Sequence, residues 1–177
     1  MRPRFTTFAA VCGAVFAPLA LLHAQGPVTR TLQRMEERAE HNITEAADDM
    51  PADRYEFKPT PGQMTFAELV VHTAEVNVQL CNAIAARPVP VQQPLLATKD
   101  KLEKPLDDSF DLCNSVLEHA DDSFLEDSVA SLGEHRITRA RALIELAVVW
   151  ADHYAQMAMY LRLNGLVPPT AKHKEKE

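Results

Sequence analysis

Glycine is scarce in this sequence, with 5 residues in 177, so collagen-like repeats and Gly-rich flexible linkers are excluded. A basic excess is also missing. Lys and Arg number 18 against 25 Asp and Glu, for a net charge of −7. An acidic surface repels phosphate backbones, so nucleic acid is not an expected partner. No G-x-S-x-G, Gly-rich phosphate loop, H-E-x-x-H or C-x-x-C occurs, so the corresponding hydrolase, nucleotide, metalloprotease and dithiol chemistries have no motif to stand on. Period-2 apolar runs bounded by turn residues are absent as well, and strands are not expected. What remains is a globular composition, 46% hydrophobic and 24% charged. That excludes disorder as the main state, and the length suits one domain with its own core.

The first 24 residues read as a separate unit. Arg2 and Arg4 form a short basic start, and FTTFAAVCGAVFAPLALL (5–22) is uncharged and mostly apolar. Ala24 is a small residue at a cleavage position, and the pattern is that of a secretory signal peptide over 1–24. The competing reading is a retained N-terminal anchor, but the stretch is marginal for a span and Pro18 interrupts it. Cleavage predicts a periplasmic or secreted protein with no stable membrane span. It leaves a domain over 25–171 and a charged tail, 172–177. It also leaves two cysteines, Cys81 and Cys113. In an oxidising compartment these can form a disulfide, provided their geometry allows it.

Prolines divide the domain. The windows 28–50, 62–87 and 106–167 are free of them and can hold helices. Helix 1 is expected over 28–49, with Leu32, Met35, Ala39, Ile43 and Ala46 inward and Glu36, Glu37, Arg38 and Glu40 outward. Helix 2 is expected over 65–86, opened by a Thr65–Glu68 capping box. Four prolines over 87–105 predict a long extended connection, then helix 3 over 107–120 and an acidic loop over 121–136. Helix 4 is expected over 137–164, with Ile137, Ala140, Ile144, Ala147, Val148, Ala151, Ala158 and Leu161 on its core side and an Asn164–Gly165 stop. Four amphipathic helices bury their stripes together, which predicts an all-α four-helix bundle. The long connection can cross the bundle, so helices 2 and 3 can run parallel.

Of seven histidines, two have apolar company. His153 shares its helical face with Leu146, Val149, Trp150, Met157 and Tyr160. His72 lies near the start of helix 2, between Leu69 and Val76 on one flank and Glu68 and Glu75 on the other. A packed histidine hydrogen-bonded to another helix is the plain reading of each, and a metal ligand the functional one. His41, His119 and His135 sit among charged residues and read as solvated. The pairs Asp48–Asp49, Asp107–Asp108 and Asp121–Asp122 lie near helix ends, where capping and solvation account for them.

Three tracts resemble the DinB-like superfamily: AADDMPADRYEFKPTPGQMTF, ELVVHTAEVN and DHYAQMAMYLRLNGLVPP. The resemblance spans most of 28–170. It implies a four-helix bundle with an up-down-down-up course and a long crossover between helices 2 and 3. Many such proteins hold a divalent metal with three histidines, one from the start of helix 2 and two from helix 4, four residues apart. Some use it to activate a low-molecular-weight thiol for S-transfer or isomerisation. His72 and His153 match two of these positions, but the third holds Val149, which has no donor atom. The resemblance therefore implies a degenerate site for zinc or nickel, weakly bound or absent, with Glu75 as a candidate third ligand. Alternatives are a thiol S-transferase-like enzyme with a rebuilt ligand set, or a non-enzymatic homodimer or small-molecule-binding bundle.

Overall fold

The computed structural model describes residues 26–88, 98–130 and 136–172. The leader 1–24, with Cys12, and the tail beyond Lys172 lie outside the described residues. Helix α1 spans Pro27–Asp49, α2 Phe66–Ile84, α3 Lys99–Glu118 and α4 Arg139–Leu163; a short α5, Pro169–Lys172, follows. Between α3 and α4, β1 (Ser128–Ala130) pairs antiparallel with β2 (Arg136–Thr138).

Side-chain ties set the course of the helices. The Gln33 amide at the start of α1 reaches the Leu117 carbonyl at the end of α3, while Lys99 Nζ at the start of α3 reaches the Met50 carbonyl at the end of α1. These two helices are therefore antiparallel. The Asn77–Ser109 bond and the Cys81–Cys113 disulfide join α2 and α3 in parallel register. Trp150 Nε1 bonds Asn77, and the Tyr160 hydroxyl bonds the Met64 carbonyl, so α4 runs against α2. The result is an up-down-down-up four-helix bundle.

Each helix end has a local cause. Pro27 stands at the first turn of α1, where its missing N–H costs nothing. The Thr65–Glu68 capping box is formed, with Thr65 N to Glu68 Oε2 at 2.7 Å and Glu68 N to Thr65 Oγ1 at 3.1 Å. The first amides of α1 are capped from a distance. Asp122 accepts from the Val28 and Thr29 amides, both at 2.9 Å, and from the Thr29 hydroxyl at 2.7 Å. Desolvation alone would raise this carboxyl; the Thr29 hydroxyl and the two amides hold it below its ordinary value. A Cβ on Gly26 would stand 2.0 Å from the Asp122 carboxyl carbon, so glycine is required there for the approach. Gly26→Ala should displace Asp122 and lower the melting temperature, a shift that calorimetry reads directly; an unchanged melt would mean that the cap contributes nothing.

Four expectations need correction. Helix α3 begins at Lys99 rather than 107, with Pro105 inside it. An interior proline costs about 3 kcal/mol. Against that, Leu102 and Leu106 are 2% and 1% exposed, and burying a leucine contributes roughly 1.5–3 kcal/mol. The stripe Leu102, Leu106, Phe110, Cys113, Leu117 carries the helix across the proline, so the crossover is shorter than 87–105.

Strands do occur. Each is three residues long, too short for an alternating run, and Val129 is the one buried residue among their six. Val129 covers the core, and the pairing satisfies the backbone beside it.

Glu36 faces inward, 1% exposed, because α1 packs against both α3 and α4 and its inward arc is wider than one stripe. Burial, then the neighbouring Glu40, Glu37 and Asp111, raise its carboxyl to about 7.

On α4 the expected core side holds only in part: Ala158 and Leu161 are buried and Ile137 and Ala147 pack against the core, but Ile144, Val148 and Ala151 face outward. Ile144 and Val148 are 62% and 61% exposed, whereas Leu143, Leu146, Trp150, His153, Met157 and Tyr160 are buried. The helix is apolar on both sides, and periodicity alone does not choose between them.

Candidate metal centre

The inner face of α4 meets α2 across a polar thread. Trp150 Nε1 donates to Asn77 Oδ1 at 2.8 Å, Asn77 Nδ2 to Ser109 Oγ at 3.1 Å, and Ser109 Oγ to the Leu106 carbonyl at 2.6 Å. All three side chains are buried, and the chain of bonds leaves each satisfied. It fixes the rotation of α4 about its own axis, which in turn aims the residue three positions on, His153, at α2. Sequence reasoning did not single out Asn77 or Ser109. A signal was available in Asn77, a polar residue one turn before Cys81 on the buried side of α2.

The His72 and His153 rings lie with centroids 5.0 Å apart and planes at 55°. The two histidines are thus brought together between α2 and α4. His153 is 5% exposed; His72 is half-buried and opens toward the surface. Burial, and then the proximity of His72, push the His153 imidazole down to about 4, with Asp152 pulling weakly the other way. At neutral pH it is uncharged, the form that donates a lone pair to a metal. Its Nδ1 is buried with no hydrogen-bond partner. An unsatisfied buried ring nitrogen is costly, and it marks a place where a ligand atom or proton donor would be stabilised.

The rest of the donor set is thin. Val149, one turn before His153, is half-buried and packs against the core. Glu75 is half-buried on α2, one turn after His72. Among the described residues, no three His, Cys, Asp or Glu side chains converge where a metal ion could sit. The orphaned His153 nitrogen and its neighbour fit a two-imidazole contact. They do not fit the three-ligand set with an open position that catalytic zinc uses.

A profile described as the DinB superfamily matches residues 36–157, a span that includes both histidines and the polar thread. The chain belongs to the DinB superfamily. Solved DinB-like proteins share the fold. One from Bacillus subtilis superposes with a TM-score of 0.64 at 19% identity, covering 76% of this chain and 92% of that one. Another from Bacillus cereus gives 0.67 at 13% identity, over 79% and 95%. A conserved protein from Enterococcus faecalis gives 0.60 at 18% identity, over 75% and 94%. No curated protein sequence matches the chain. At these identities the likeness shows the DinB fold; activity has to be argued from this chain's own side chains.

Proposed function

We propose that this DinB-superfamily protein is an exported bundle whose His72–His153 pair is a reduced divalent-metal site, binding zinc or nickel weakly and supporting no metal-dependent turnover of its own. The observation that carries the reading is the convergence of two imidazoles at 5.0 Å around a buried, unpartnered His153 nitrogen, with valine at the position one turn earlier. Export rests on the leader 1–24, and the Cys81–Cys113 disulfide suits an oxidising compartment. No described helix is long and apolar enough to cross a membrane.

Two imidazoles hold a metal by fewer bonds than the usual three protein ligands, so the affinity is low. A histidine at 149 would lie on the His153 side of α4, one turn away, and complete a three-nitrogen set. Calorimetric titration of zinc or nickel into the wild type and Val149→His is the test. The substitution should tighten binding by at least about tenfold, in the range seen when one metal-orienting group is changed. Tight binding by the wild type would overturn the reading and point to a third donor such as Glu75. No binding by either protein would leave His72 and His153 as packed core residues. Thiol-dependent turnover by the metal-loaded wild type would place it with the thiol S-transferases instead.

A further inference from the structure

Helix α4 has a second apolar stripe that none of the described residues covers. Ile144, Val148, Ala151, Ala155 and Met159 recur at steps of four, three, four and four, so one outer side of the helix is apolar for about four turns. Ile144 is 62%, Val148 61% and Met159 52% exposed. The opposite side of the same helix is already in the core, so α4 has two apolar sides separated by polar residues, and the described chain buries one of them. Toward α1 the stripe runs into an open groove of about 650 Å³ whose walls include Val28, Leu32, Met35 and Ala147. An uncovered apolar strip of this length on a soluble domain marks an interaction surface.

We propose that this face pairs with the same face of a second copy of the chain, the two α4 helices lying side by side and parallel about a two-fold axis. The spacing fits helix-to-helix pairing: Ile144, Val148, Ala151 and Ala155 take successive seam positions of a heptad pattern. The charge on the two rims selects the partner. On the α1 side exposed Arg38 lines a cleft with Ala151, and exposed Arg34 bonds Thr31 of the groove; on the other side the helix carries half-buried Glu145 and exposed Asp152. Arg141 already engages Glu145 at 2.7 Å, whereas Asp152 takes its bond from Gln156 of its own helix. Arg38 and Ala151 line one cleft, which sets Arg38 level with Asp152 along the bundle. A two-fold axis parallel to α4 lays the basic rim of each copy over the acidic rim of the other. An antiparallel pairing would set the arginine rims against each other. A self-complementary face of this kind is isologous and closes at two copies.

Sedimentation equilibrium of the purified, disulfide-bonded protein tests the pairing, which does not depend on the histidine site. The wild type should be dimeric at micromolar concentration. Val148→Glu, a change at an exposed position, should give monomers with an unchanged helical circular-dichroism spectrum. Asp152→Arg should weaken the dimer by at least about tenfold, and adding Arg38→Asp should restore it, since opposed charges across an interface set partner choice. A monomeric wild type would overturn the proposal, as would a dimer indifferent to Val148→Glu. A charge exchange that fails to restore pairing would refute the parallel arrangement.

Discussion

Replacing both Cys81 and Cys113 with alanine should cost about 4 kcal/mol of folding stability and lower the melting temperature by roughly 8–15 °C. The disulfide joins α2 to α3 with Cα atoms 5.2 Å apart and closes a loop with a sequence separation of 32. That loop contains the connection between two parallel helices, which no tight turn could make. Without the cross-link the unfolded chain regains the freedom of the whole loop, and the loss follows from its length. Both cysteines are fully buried, so alanine also leaves small voids that add to the cost. Thermal melts with and without reductant separate the two parts: reduction of the wild type reports the cross-link alone. A reduced protein that melts with the oxidised one would show that the bond adds no stability.

The second large effect concerns Glu36. Its carboxyl is 1% exposed, has an oxygen without a hydrogen-bond partner, and is raised from 4.5 to about 7 by burial and by Glu40, Glu37 and Asp111. Asp107 on α3 and Glu40 on α1 are raised too, burial first and then neighbouring carboxylates, so the α1–α3 seam is acidic along its length. The sign follows from linkage. The folded state holds the Glu36 proton more tightly than the unfolded chain, so stability falls as pH rises from about 4.5 to about 7. At one pKa unit per 1.36 kcal/mol, the cost above that window is up to about 3 kcal/mol. Glu36→Gln should remove it, stabilising the protein at pH 8 and changing little at pH 4. His153 works the other way. Its folded value of about 4 lies below its ordinary 6.5, so its contribution is complete above 6.5 and is lost as pH falls toward 4. In the wild type the two slopes offset one another across the overlap. In Glu36→Gln the largest opposing slope is gone and the histidine slope should emerge, reduced by the remaining slopes of Glu40 and Asp107, so that stability falls less from pH 4 to 6.5 than in the wild type. Urea melts at pH 4, 5.5 and 8 read both; equal gains at all three would show that Glu36 carries no proton-linked cost.

Much of this protein was legible in residue order, because the signals were local. Prolines and the Thr65–Glu68 box bounded α1 and α2 to within two residues, since capping and helix breaking act over one turn. The tracts around His72 and His153 carried the superfamily resemblance, and the bundle followed from four apolar stripes that need one another. Other features depended on what each helix packs against. Pro105 marks a helix end by local rules, and only the burial of Leu102 and Leu106 carries α3 through it. Glu36 reads as surface, and only the packing of α1 against α3 and α4 encloses it. On α4 two apolar stripes satisfy the same period, and the bond from Trp150 to Asn77 selects which one turns inward. That selection places His153 5.0 Å from His72 and leaves Ile144 and Val148 outside. Residue order therefore carried the bounds of α1 and α2, the superfamily resemblance and the two histidines, each through a local signal. Which faces meet came from packing alone, because burial belongs to pairs of elements and periodicity to one.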